Sequence, residues 1–151
     1  TIREKLLSEG KLSGNGALSL AWPVPSRYVT ATFHDAGYPF RHIFEHPGTD
    51  IRAAQGTPIL AAETGYVGRA RDNGMGYSYI MLIHAQGFAT VYGHVSKIYV
   101  NQGDLVTKGQ TIGLSGGRPG TPGAGPFVTG AHLHFELRKD GIPVNAELYL
   151  P

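Results

Sequence analysis

The sequence predicts an all-β fold, an antiparallel sheet sandwich with few short helices. Glycine occurs 22 times and proline 10 times in 151 residues, above average usage, which points to many turns and short strands. Apolar and polar residues alternate over short runs, the period of a half-buried strand. The clearest case is Ala131-His132-Leu133-His134-Phe135-Glu136-Leu137-Arg138. There His132 and His134 project to one face while Leu133, Phe135 and Leu137 project to the other.

Residues 2–7 (IREKLL) read as a helix too short to stand alone, the end of a longer one. Gly10, Ser13, Gly14, Asn15 and Gly16 read as a flexible linker. Residues 1–19 are therefore expected to be a helix stub and linker, and residues 20–151 the domain, entered through the rigid Trp22-Pro23-Val24-Pro25. Strands are expected over 29–33, 51–53, 58–62 and 65–69. A hairpin follows, with strands 77–84 and 88–94 joined by Ala85-Gln86-Gly87. Further strands are expected over 97–100, 105–106, 111–115 and 131–138, with a turn at Asp140-Gly141. Gln55-Gly56-Thr57-Pro58-Ile59 echoes Gln102-Gly103-Asp104-Leu105-Val106, either two related hairpin units or two common turns. Residues 115–130 (SGGRPGTPGAGPFVTG) hold too much glycine and proline for helix or central strand. They form a long loop feeding into the His132 strand.

Several classes are excluded. The chain has no cysteine, which removes disulfides, thiolate metal sites and thiol nucleophiles together. A net charge of +2 is too small to argue for a nucleic-acid partner. No apolar run is long enough to span a membrane, and no signal peptide is visible. The chain opens on Thr1 rather than Met, so it reads as a piece of a longer protein.

Three histidine-bearing segments stand out. In His46-Pro47-Gly48-Thr49-Asp50 the Pro-Gly pair bends the chain and can bring an imidazole and a carboxylate, both standard zinc donors, to one point. In Tyr92-Gly93-His94 the strand ends with Thr90, Tyr92 and His94 expected on one face. His132-Leu133-His134 is the third. Four histidines and an aspartate exceed the three ligands of a hydrolytic zinc site and leave two imidazoles for proton work. Calcium and magnesium prefer oxygen donors and fit this set badly. Isolated His34 and His84 read as structural, His84 as a brace for its hairpin. Glu136 and Arg138 read as a solvated edge pair. His42-Ile43-Phe44-Glu45-His46 matches the inverted zinc-protease pattern H-x-x-E-H, but Pro39 and Pro47-Gly48 leave too little helix for it.

His46-x-Gly48-x-Asp50, Tyr92-x-His94 and His132-x-His134 together resemble the three signatures of the LytM/lysostaphin-type zinc metallopeptidases. The resemblance runs from about Trp22 to Leu150 and includes Gly56-Thr57-Pro58, Gly103-Asp104-Leu105-Val106, Lys108-Gly109-Gln110 and His134-Phe135-Glu136. It implies an antiparallel sheet with a groove, related to the barrel-sandwich hybrid of biotinyl and lipoyl domains. It implies one Zn2+ per chain, with His46, Asp50 and His134 as ligands and His94 and His132 as catalytic groups. His132 is provisionally the general base and His94 the oxyanion stabiliser or proton donor, although the two roles are interchangeable at this level. The implied activity is cleavage of peptide cross-links or stem peptides in bacterial peptidoglycan, outside the cytoplasm, by a monomer. The alternative is a regulatory domain that activates another cell-wall hydrolase, and the N-terminal helix leaves room for a regulatory protein partner. A lipoyl-type carrier is disfavoured, because Lys108 lacks the flanking residues such a lysine needs. The stretch between Gly113 and His132 is longer than the family's usual turn. It is expected to form one groove wall, where Phe127 either contacts substrate or anchors the loop.

Overall fold

The structure, a computed structural model, describes residues 18–41 and 46–151. The expected helix at 2–7, its linker, and His42 to Glu45 of the inverted pattern lie outside the described residues.

The described residues form eleven strands and two single-turn 3-10 helices. The strands are β1 (Val29–Ala31), β2 (Thr49–Arg52), β3 (Pro58–Leu60), β4 (Gly65–Arg71), β5 (Tyr79–Ile83), β6 (Phe88–Gly93), β7 (Val95–Ile98), β8 (Leu105–Val106), β9 (Thr111–Ser115), β10 (His132–Lys139) and β11 (Ile142–Val144). One sheet runs β1-β2-β10-β6-β5-β4-β8, with β11 beside β2 on the same edge of β10, and a second runs β3-β9-β7. All pairings are antiparallel. The all-β expectation holds.

The core lies between the sheets. Ile51, Ile80, Leu82, Tyr92, Leu133, Phe135 and Leu137 come from the larger sheet and Ile59, Val95 and Ile112 from the smaller. Burying each large apolar side chain contributes about 1.5–3 kcal/mol, so the alternation of β10 fixes which of its faces turns inward. Leu133, Phe135 and Leu137 are fully buried, as their spacing predicts.

The echo at residues 55–59 and 102–106 is real at the level of the turn. Gly56 and Gly103 both hold positive φ, at 82° and 93°, where glycine avoids the steric cost other residues carry. The strands that follow part company, β3 joining the smaller sheet and β8 the larger. β11 was not expected. It follows the foreseen turn, where Asp140 and Gly141 both have positive φ. It has only three residues, one of them Pro143, which a sheet edge tolerates and a central strand does not.

Candidate metal centre and groove

β10 is the centre of the site because β2 and β6 pair on its two sides. His134 lies opposite Asp50 on β2 and opposite Gly93 on β6. Directly paired residues share a face, so Asp50 arrives beside His134 by register alone. His46 reaches the same point from the bend before β2. Gly48 permits that bend: a Cβ there would meet the Phe135 carbonyl oxygen at 2.6 Å and a ring carbon of His134 at 3.0 Å.

Nitrogen and oxygen atoms of His46, Asp50 and His134 lie within 4.8 Å of one another. His46 Nε2 is 3.1 Å and His134 Nδ1 2.9 Å from the same Asp50 oxygen, Oδ1. The opposite ring nitrogens are already committed. His46 Nδ1 donates to the Thr32 carbonyl at 2.8 Å, and His134 Nε2 donates to Glu136 Oε2 at 2.8 Å. His46 Nε2 therefore aims a lone pair at a carboxylate oxygen, an arrangement that calls for a cation between them. Burial pulls the His134 pKa down, but its bonds to Asp50 and Glu136 outweigh this and hold it at about 9. Burial pushes Asp50 up, and its contacts with the two imidazoles, the hydrogen bond from His134 first, more than reverse it and leave the carboxyl well below the usual range. Two nitrogens and a carboxylate suit a zinc-type ion.

Glu136 is not a solvated edge residue, contrary to the sequence expectation. It is 5% exposed, binds His134 through Oε2, and accepts Arg138 Nε at 3.0 Å and Nη2 at 2.8 Å through Oε1. Burial raises its pKa, and the bonds to His134 and Arg138 lower it further than burial raises it. A carboxylate behind a ligating imidazole fixes its orientation and raises its basicity. The final Glu of His-x-His-x-Glu was the available signal.

The face expected for His94 is also corrected. Tyr92 pairs with Phe135 and points into the core, where its hydroxyl meets Ala62 N and Thr90 Oγ1. Continued alternation would send His94 the same way. Instead His94 has φ 58°, and this left-handed residue turns the ring into the site. Its centroid lies 4.8 Å from His132 and 5.9 Å from His134.

The long loop orients both remaining imidazoles. His94 Nδ1 meets the Ala124 carbonyl at 2.7 Å, and His132 Nδ1 meets the Gly130 carbonyl at 2.7 Å. A carbonyl can only accept, so each Nδ1 carries the proton and each Nε2 presents a lone pair. The loop is pinned through Gly123, which donates to Gly74 O at 2.7 Å and accepts from Ser78 N at 3.1 Å. Burial, then the neighbouring His132 and His134, lower the His94 pKa to about 4. His132 Nε2 lies 3.5 Å from Asp50 Oδ2.

Two tyrosines that the sequence did not single out complete the walls. Tyr38 packs on His46 at 4.5 Å, and burial followed by the Asp50 charge pushes its phenol up to about 12. Tyr77 meets His94 edge-on at 5.1 Å and is raised by burial and by Glu136. In a chain with eight tyrosines, neither has a local signal that separates it from packing. Two pockets of 290 and 210 Å³ flank the site and share Tyr38, His94, Phe127 and His134. The loop therefore walls the groove as expected, with Phe127 set edge-on against Phe40 at 5.2 Å. His84 lies apart and braces its hairpin, bridging Thr64 O and Thr90 Oγ1 at 2.9 and 2.8 Å.

Comparison with known proteins gives a consistent result. Residues 44–146 match the model of Peptidase family M23. The chain is 36% identical over 127 residues to the peptidoglycan DD-endopeptidase ShyA of Vibrio cholerae, covering 83% of this chain and 27% of that protein. It is 34% identical over 125 residues to the DD-carboxypeptidase/endopeptidase Mpg of Neisseria meningitidis, covering 82% and 27%. The structure resembles a zinc-containing peptidase from Vibrio cholerae with TM-score 0.70 and 33% identity, covering 83% of this chain and 38% of that one. The chain thus spans about a quarter of the length of these two curated relatives.

Proposed function

The chain belongs to peptidase family M23, and on that basis we propose that it is a zinc endopeptidase that hydrolyses peptide cross-links or stem peptides of bacterial peptidoglycan, outside the cytoplasm. The observation that carries this reading is the convergence of five side chains on one groove: three donors within 4.8 Å of one another and two imidazoles whose Nδ1 atoms are tied to carbonyls.

His46 Nε2, Asp50 Oδ1 and His134 Nδ1 would hold the zinc ion, which supplies Lewis-acid activation of water and of the scissile carbonyl. The chain's own groups handle the protons. His94 has Nδ1 tied to the Ala124 carbonyl and its Nε2 lone pair turned to the site, so it is placed to accept a proton. His132 Nε2 sits 3.5 Å from the second oxygen of Asp50. From this place His132 can pass a proton to the leaving amine or steady developing negative charge. These roles are the reverse of the provisional assignment from sequence. Tyr38, held protonated by burial, can hydrogen-bond substrate from the groove wall.

The regulatory alternative is disfavoured because every donor and both imidazoles are present. Digestion of purified sacculi by the zinc-loaded protein, with mass spectrometry of the fragments, tests the reading. Chelator-sensitive release of peptides bearing a new amine is expected. Intact sacculi in the presence of one tightly bound zinc per chain would move the assignment to a regulatory domain.

A further inference from the structure

The groove face of the larger sheet does not end at the metal-type site. Register sets its rows: His134, Gly93, Tyr79 and Arg71 lie opposite one another across β10, β6, β5 and β4, and Glu136, Val91, Met81 and Arg69 form the next row. Successive residues on one face are about 7 Å apart along a strand, so the second row is one step from His134. A cleft of 470 Å³ opens over it, floored by Met81 and Val91 and bordered by Arg69, Arg138 and Tyr79. It shares Tyr77 and Glu136 with the neighbouring pocket that touches His134.

The charges in this cleft do not balance. Glu136 is engaged on both oxygens, by His134 and by Arg138. Arg138 spends two of its five N–H groups on Glu136. Arg69 is exposed and makes no ion pair with any described residue. Tyr77 and Tyr79 stack at 5.7 Å to form a flat wall. The result is a guanidinium without a counter-charge on the border of an apolar floor, in the row of residues next to that of His134. A planar guanidinium fork is matched by a carboxylate, and Met81 and Val91 suit the aliphatic carbons that carry one.

We propose that this cleft is a substrate subsite that takes a carboxylate of the peptide being cut, held by Arg69, with Arg138 on the opposite border of the cleft. The proposal rests on the endopeptidase reading and deepens it, since a peptidoglycan stem peptide carries several carboxylates and a glycan carbon skeleton would leave Arg69 unmatched.

The chain has two methionines, Met75 and Met81, so methyl-labelled zinc-loaded protein gives one reporter on the cleft floor, Met81, and one in the exposed 72–75 segment, Met75. The probes are a peptidoglycan stem tetrapeptide and the same peptide with its carboxylates converted to carboxamides. The free-carboxylate peptide should shift the Met81 methyl and bind about fivefold more tightly than the carboxamide, the range of an exposed ion pair. Arg69→Gln, with unchanged zinc content and thermal unfolding, should erase that difference. Equal affinities, a difference that survives Arg69→Gln, or no Met81 shift would each overturn the subsite. Sacculus digestion beside it separates the two readings. Cleavage without a Met81 shift removes the subsite alone, and a Met81 shift without cleavage keeps the subsite and removes the endopeptidase.

Discussion

At His134 both ring nitrogens face carboxylates, and this decides what a cation would gain there. Asp50 holds one side and Glu136 the other, so the imidazole is oriented before any ion arrives. Glu136→Gln keeps the shape and removes the charge behind the ring. Zinc affinity should fall about 10- to 100-fold, read by competition with a chromogenic chelator. An unchanged affinity would reduce Glu136 to packing. His94 and His132 are held by backbone carbonyls rather than by the donors. His94→Ala and His132→Ala should therefore bind zinc normally while sacculus hydrolysis falls at least about 100-fold. Metal analysis of the purified variants separates lost chemistry from lost metal. His46, Asp50, His94, His132 and His134 were all legible from residue type and order. Glu136 was visible in its motif and misread, because alternation on a strand does not reveal that loops cover the polar face.

At the scale of elements, β2 delivers Asp50 and β10 delivers His134, and Gly48 lets the two come close. A Cβ at Gly48 would force its neighbours apart. Gly48→Ala should cost about 1–3 kcal/mol and weaken zinc binding with it, measured by urea unfolding and metal titration. A stable variant with normal zinc affinity would mean the bend has slack. His84 offers a test elsewhere in the same sheet. Burial lowers its pKa from 6.5 to about 4. Between those values the unfolded chain binds a proton that the folded chain does not, so stability is full above pH 6.5 and is lost as pH falls towards 4. That window corresponds to about 3 kcal/mol. His84→Gln should make the loss from pH 7 to pH 5 shallower in chelator-treated protein, followed by urea unfolding. The strand expectations hold best where alternation is long, as in β10, and fail at β11, which is too short to carry a period.

Over the whole molecule, the candidate metal site joins segments far apart in sequence, since Asp50 and His134 are separated by 84 residues. An ion bound there cross-links the fold as well as serving the reaction, and it binds the folded state preferentially because the unfolded chain does not preserve the site. Free zinc at 100 times its dissociation constant should raise stability by about 2.7 kcal/mol, seen as a higher melting temperature that a chelator reverses. The same melting temperature with and without zinc would argue against a site on these residues. Among the described residues no helix is long and apolar enough to cross a membrane. The groove that the sheet floors and the 116–131 loop walls is a property of this assembled whole. No single segment contains it.

The sequence by itself determined the all-β class, the inward face of β10, and the ordered set of nitrogen and oxygen donors. These follow from local rules, the two-residue period of a strand and the chemistry of each side chain, which neighbouring residues are enough to express. Only the tertiary structure decided that His94 turns out of its strand's alternation, that Glu136 is buried behind His134, and that Ala124 and Gly130 set the tautomers of two imidazoles. It also brought Arg69 and Arg138, from strands on either side of β5 and β6, to one cleft. These depend on register and close packing between segments tens of residues apart, where the loss of water and the approach of a partner carbonyl or carboxylate fix orientation and protonation.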